Sequence, residues 1–92
     1  MSQPQNLSPC DPCVRTFPKD WKEAYFRRHY DEQKGGYVCP DCGLVFRGPS
    51  GFRGLHADHM IPMSRGGQTV WENLTLRCGP CNLWKGNKLA NE

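Results

Sequence analysis

The stretch that decides the fold runs from residue 55 to residue 86 and reads LHADHMIPMSRGGQTVWENLTLRCGPCNLWKG. It contains one C-x-x-C pair, and another stands upstream in the run YVCPDCGLVF of residues 37–46. Gaps of two residues between cysteines suit a tetrahedral zinc ion better than disulfides. Four thiolates leave no open coordination position, so the spacing predicts a structural rather than a catalytic zinc site, formed by Cys39, Cys42, Cys78 and Cys81.

Zinc would also explain how so short a chain folds. The sequence has 92 residues, of which 37% are hydrophobic, and it contains 10 glycines and 8 prolines. A domain of this size buries only about 60% of its unfolded surface, whereas zinc contributes on the order of 10 kcal/mol in small zinc modules. We therefore expect one small α+β domain in which a metal ion supplements a modest core.

A third C-x-x-C pair, Cys10 and Cys13, has no obvious second half. Three interpretations stay open: His29 supplies a further ligand, a second copy of the chain supplies another pair, or both thiols are free. The pair lies in residues 1–17, which are rich in polar residues and proline and are predicted to form a flexible arm. Residues 18–92 are predicted to form the folded domain.

The predicted secondary structure follows these motifs. Pro18 to Gln33 predicts an N-terminal helix that is capped by Asp20 and ended by the two glycines that follow it. The later elements are expected in this order: a two-stranded knuckle over 37–46, a loop over 47–54, strands over 55–62 and 73–77, and a helix from 78 to about 88.

The charge distribution permits a polyanionic partner. The net charge is +3, and basic residues outnumber acidic ones only after residue 44. The first nine residues contain no apolar segment typical of a secretion signal, and no apolar run approaches the roughly 20 residues of a membrane span. Because zinc-bound thiolates suit a reducing compartment, we expect a cytoplasmic protein with no membrane partner.

An ordered set of short motifs spans residues 58–86: D-H-x-x-P, G-G, N-L and C-x-x-C-N-x-x-K-G. In this set the sequence resembles the HNH endonuclease family, and the likeness covers about residues 37–88. The resemblance implies a ββα-metal core, here with a structural four-cysteine zinc site and an extra N-terminal helix. It also implies metal-dependent hydrolysis of phosphodiester bonds in nucleic acid, double-stranded DNA above all.

The resemblance assigns a role to four polar positions. His59 matches the general base that takes a proton from water, and Asp58 and Asn82 match ligands of one catalytic metal ion. Asn73 matches the asparagine that ties the loop between the two strands and steadies the base. Since the protein ligands are carboxylate and amide oxygens, Mg²⁺ or Mn²⁺ is favoured as the catalytic ion.

Three further residues are candidates for contact with the substrate. Lys85 lies three residues after Asn82, on nearly the same helix face, and could hold a phosphate. His56 shares a strand face with Asp58 and is interpreted as an auxiliary ligand, a phosphate contact or a structural histidine. Arg65, in the turn before the two glycines, is the third candidate.

One geometric problem accompanies this assignment. Adjacent strand residues point to opposite faces, yet Asp58 and His59 must serve the same phosphate. Either the pleat breaks at these residues or the metal lies around the edge of the strand.

A rival interpretation is a zinc-ribbon-like module that binds nucleic acid without cutting it. The same cysteines and the basic half of the chain would support it, but a binder needs none of the four polar residues of the motif set. The sequence also allows a homodimer or a larger protein partner. Cleavage specificity and biological role, whether restriction, phage genome processing or a mobile element, stay open.

Overall fold

Two short antiparallel hairpins and three helices form the architecture of residues 6–85, the part of the chain that the computed structural model describes. The elements are, in chain order, α1 (Lys19–Arg28), β1 (Tyr37–Val38), β2 (Val45–Phe46), α2 (Gly48–Arg53), β3 (Leu55–His59), β4 (Leu74–Cys78) and α3 (Gly79–Lys85), with 3₁₀ turns at Met63–Arg65 and Trp71–Asn73. The predicted class, small α+β, is confirmed.

The β3–β4 hairpin organises the C-terminal half. Its register pairs Leu55 with Cys78 at one end and His59 with Leu74 at the other. Helix α3 follows β4 directly and contacts both strands. The chain therefore contains the consecutive strand, strand and helix that the resemblance predicted.

The core lies between this hairpin and α1. Leu55, Leu74 and Leu76 from the hairpin are at most 1% exposed, and Trp21 and Phe26 from α1 are also buried. Aromatic rings fill much of the space, and burial of each large side chain stabilises the fold by about 1.5–3 kcal/mol. Because α1 packs against β4, the extra N-terminal helix is part of the same core as the hairpin.

Helix α1 is shorter than the sequence predicts. It ends at Arg28 rather than at Gln33, and the chain then turns between Asp31 and Gly36. The Asp31 backbone N–H donates to the Gly36 carbonyl over 2.8 Å, and the Asp31 carboxylate accepts from the Gln33 N–H over 3.0 Å. An Asp-centred turn therefore replaces the last predicted helical turn.

The predicted cap at Asp20 is wrong. The residue at the N-cap position is Pro18, whose side chain makes no capping hydrogen bond. Asp20 instead accepts a hydrogen bond of 2.7 Å from the backbone N–H of Ser8, which lowers the pKa of its carboxyl group. The described part of the arm is thereby tied to α1, and the Trp21 indole N–H reinforces the contact by donating to the Ser8 carbonyl over 2.7 Å.

Other parts of the secondary structure also differ from the prediction. Residues 48–53 form α2 rather than a loop, with a proline in its first turn. Strand β3 ends at His59 instead of continuing to Pro62, and α3 begins at Gly79. Residues 86–88 of the predicted last helix lie outside the described residues. Within residues 6–85, no helix has both the length and the apolar character needed to cross a bilayer.

Candidate functional site

The four cysteines predicted to bind zinc come together in space. All four sulfur atoms lie within 4.8 Å of one another. The Sγ atom of Cys78 is 3.8 Å from that of Cys39 and 3.7 Å from that of Cys42. Zinc–sulfur bonds of roughly 2.3 Å in a tetrahedron place the sulfurs about 3.7 Å apart, so the cluster fits a structural zinc ion.

Two local structures position these thiols. The turn after β1 carries Cys39 and Cys42 and is closed by a 2.9 Å hydrogen bond from the Cys39 N–H to the Leu44 carbonyl. Cys78 is the last residue of β4, and Cys81 lies in the first turn of α3. The second pair therefore occupies the junction between the hairpin and its helix, where a bound zinc ion would hold both elements against the turn.

Electrostatics at the cluster favour a bound cation. Burial raises the pKa of the Cys39 thiol, but hydrogen bonds from the backbone N–H groups of Cys78, Cys42 and Asp41 outweigh it and lower that pKa to about 7. The pKa of Cys81 is raised, foremost by its contact with Cys78. Zinc binds deprotonated thiols, so a zinc ion among the four sulfurs would offset the repulsion between neighbouring thiolate charges.

His59 is the last residue of β3, and its ring is held on two sides. Its Nε2 atom lies 2.7 Å from the Thr69 hydroxyl oxygen, and its ring centroid is 4.5 Å from that of Phe17. Thr69 is fully buried, donates its hydroxyl proton to the Val14 carbonyl, and donates its N–H to the Pro12 carbonyl over 2.9 Å. The segment before α1 is thus packed against the end of β3.

These contacts determine where neutral His59 carries its proton. A hydroxyl group has one proton, and Thr69 gives its proton to a carbonyl, which can only accept. The hydrogen bond between Thr69 and His59 must then be donated by the imidazole Nε2–H. The basic lone pair of the ring is consequently at Nδ1.

Asn73 ties the loop between β3 and β4. Its Oδ1 accepts from the Ile61 N–H over 2.8 Å, and its Nδ2 donates to the carbonyls of Ile61 and Gln68 over 3.0 and 2.9 Å. The loop is tightly folded here, since a Cβ atom on Gly67 would lie 1.7 Å from the Ile61 carbonyl oxygen. Asn73 therefore holds the backbone that follows His59 in one conformation.

Asp58 points to the other side of β3, into an ion-pair cluster with Arg77 and Asp41. The Nε atom of Arg77 donates to Asp58 Oδ2 over 3.1 Å, and its Nη1 atom donates to Asp41 Oδ2. Burial tends to lower the pKa of Arg77, but the hydrogen bond to Asp41 and the charges of both aspartates raise it. Sequence reasoning missed this cluster, although a lone arginine in the apolar run LTLRC was a usable signal.

The remaining predicted site residues lie on the same hairpin or on α3. His56 is exposed on β3 opposite Arg77, Asn82 is half-buried on α3, and Arg65 is exposed in a 3₁₀ turn. Lys85 ends α3, and its side chain is outside the described part of the structure. Pairing of β3 stays regular through His59, so the pleat does not break at Asp58 and His59.

Comparison with known proteins adds one finding. The sequence model of the family described as HNH endonuclease matches residues 39–88, which is more than half of the chain. The matched range begins at the first of the four clustered cysteines and contains the β3–β4 hairpin and α3. No curated protein and no solved structure matches the chain.

Proposed function

The chain belongs to the HNH endonuclease family, and from this premise we propose that it is a metal-dependent endonuclease that hydrolyses phosphodiester bonds in double-stranded DNA. In this proposal His59 is the general base, Asp58 and Asn82 hold one catalytic Mg²⁺ or Mn²⁺ ion, and the four-cysteine zinc is structural. The observation that carries it is the oriented imidazole of His59, which is fixed by Thr69 and belongs to the residue that follows Asp58 directly in the chain.

The arrangement around His59 suits proton abstraction from water. With its Nε2–H bound to Thr69, the imidazole presents Nδ1 as the acceptor for a water proton. An imidazole can take a proton from water and release it afterwards, as a general base must. The Phe17 ring packs against the imidazole and helps to limit its rotation.

The chemistry of the donor set supports the proposed metal site. A carboxylate and an amide oxygen are hard ligands that suit Mg²⁺ or Mn²⁺, and α3 contacts β3, which brings the Asn82 helix to the Asp58 strand. The cluster of Arg77, Asp41 and Asp58 carries one positive and two negative charges, and the excess negative charge favours a cation. When bound, the ion supplies charge stabilisation at the phosphate and at the departing 3′ oxygen.

The open edge of β3 offers a route for both groups to reach one phosphate. Among the residues described, β3 has a hydrogen-bonded neighbour on one edge only, namely β4. We place the scissile phosphate at the other edge, where β3 ends, so that Asp58 and His59 approach it from opposite faces. His56, Arg65 and Lys85 are the proposed contacts to the DNA backbone, because cationic side chains bind phosphate without regard to sequence.

The same proposal extends to the organisation of the chain. We assign residues 18–92 to the nuclease domain and residues 1–17 to an arm whose described part covers the side of His59. Zinc-bound thiolates suit a reducing compartment, which supports action inside the cell.

The proposed function is tested by nicking of supercoiled plasmid DNA by zinc-loaded protein. We expect nicks with Mg²⁺ or Mn²⁺, and an at least tenfold slower rate after Asp58→Ala or Asn82→Ala, since metal ligands contribute several kcal/mol to such reactions. Binding of DNA without turnover under either metal, unchanged by both substitutions, would identify a binding module instead.

Replacing Thr69 tests the orientation of the base. Thr69→Val removes the acceptor of the His59 Nε2–H, and we expect the nicking rate to fall by about 3–10-fold, the typical net worth of one neutral hydrogen bond. Thr69→Ser keeps the hydroxyl and should retain most of the rate. Equal rates for the two variants, with both folded by circular dichroism, would contradict a role for this hydrogen bond.

A further inference from the structure

Resting on the proposed function, we propose that Arg77 is a positioning residue that fixes the Asp58 carboxylate for the catalytic metal and links it to the structural zinc site. The linking residue is Asp41, which lies between the zinc ligands Cys39 and Cys42 in the chain. Asp41 and Asp58 bind the same guanidinium from two different segments.

Burial makes this cluster geometrically demanding. The Arg77 side chain is only 4% exposed, while those of Asp41 and Asp58 are 27% and 17% exposed. A buried guanidinium is costly unless its donors are satisfied, and its donors lie in one rigid plane. Since Nε binds Asp58 and Nη1 binds Asp41, the plane sets the position of one carboxylate relative to the other.

The chain connections extend this geometry to the zinc site. Arg77 immediately precedes Cys78, and Asp41 immediately precedes Cys42. Zinc coordination by these two cysteines would therefore fix both ends of the Arg77–Asp41 pair and, through Arg77, the position of Asp58. A carboxylate has about four lone-pair positions, so the bond from Arg77 to Oδ2 is compatible with metal coordination by Asp58 as well.

A positioning role differs from that of a simple counterion. If Arg77 only neutralised charge, a lysine at this position would serve equally well, because it also carries one positive charge. Lysine is a point charge without the planar fork, and it cannot reproduce two donors in fixed directions. A substitution that conserves charge therefore separates the two roles.

The experiment is a titration of zinc-loaded protein with Mn²⁺, followed by the electron paramagnetic resonance signal of the free ion. We expect Arg77→Lys to retain one zinc per chain but to bind Mn²⁺ about tenfold more weakly, as is typical when the support of a metal ligand is altered. Nicking by this variant should recover at high Mn²⁺ concentration. The control is Arg27→Lys, which changes an exposed arginine on α1 and should leave Mn²⁺ affinity unchanged.

Unchanged Mn²⁺ affinity in zinc-loaded Arg77→Lys would overturn the role of Arg77. If that variant fails to hold zinc, Asp41→Glu gives the same test from the other end of the pair, since it conserves charge and displaces the carboxylate. Weaker Mn²⁺ binding by Asp41→Glu supports the proposal, and unchanged binding overturns it. The wild-type titration is a separate test. A wild type that binds no Mn²⁺ refutes the proposed metal site, and the positioning role falls with it.

Discussion

Replacing His59 by alanine should lower the rate of plasmid nicking by about 10²–10⁴-fold, the usual contribution of a general base. Zinc content and DNA affinity should stay unchanged, because His59 is at the end of β3 and is not among the clustered cysteines. Rates are measured with the protein in excess over plasmid, so that DNA binding is saturated and the chemical step is compared. Imidazole added to the buffer should restore part of the lost rate.

The matched control is His29→Gln. His29 follows α1 directly, and its ring stacks on Tyr25 with the ring centroids 4.1 Å apart. The proposal assigns it no part in the reaction. We expect this variant to nick at the wild-type rate. A His59→Ala protein that nicks as fast as wild type would remove His59 from the role of base, whatever the control shows.

Replacing Cys78 by serine should release the zinc ion and unfold the domain. Zinc contributes on the order of 10 kcal/mol in modules of this kind, which is comparable to the 5–15 kcal/mol by which whole domains are stable. Cys78 is 3% exposed, and its sulfur contacts those of both Cys39 and Cys42. Its replacement therefore removes a buried ligand that touches two of the other three. Native mass spectrometry measures the zinc, and circular dichroism measures the fold.

Cys13→Ser is the control for this experiment. Cys13 is exposed and is not part of the cluster found among the described residues. We expect it to retain one zinc per chain and full structure. A wild-type content of one and a half zinc ions per chain, falling to one in Cys13→Ser, would reveal a second site shared between copies. A folded Cys78→Ser protein that retains its zinc would contradict the structural assignment of the four-cysteine site.

The zinc cluster and the hairpin were predictable because each leaves a local mark on the sequence. Metal ligands come in pairs with a fixed gap, and the strands around them are short apolar runs bounded by turns. The end of α1 was less accessible, because Asp31 begins a turn through hydrogen bonds to the backbone that compete with the helix. Helix α2 was missed because Gly and Pro are poor helix formers, and tertiary contact overrides that preference.

Gly51 illustrates this last effect. A Cβ atom at this position would lie 2.7 Å from the carbonyl carbon of Phe46, so the close packing of α2 on β2 requires glycine. The residue that weakens the helix in isolation is the one that lets it pack.

The contacts that hold Thr69 and Arg77 in place could not be predicted from the sequence, for a different reason. The contact between Thr69 and Val14 joins residues 55 positions apart, and the bond from Arg77 to Asp41 spans 36 positions. Neither pair has a characteristic spacing, since each depends on where the chain returns after a loop.

The division of the zinc ligands between two distant pairs also has a consequence for the chain while it is being made. Cys42 and Cys78 are 36 residues apart, which corresponds to about 2–7 s of synthesis at 5–20 residues per second. During that interval the nascent chain contains only two of the four clustered cysteines, Cys39 and Cys42, and β4 and α3 are not yet complete. The ribosome therefore releases the last of the four cysteines together with Asn82, so that binding of zinc and completion of the proposed hydrolytic centre would coincide at the end of translation of this region.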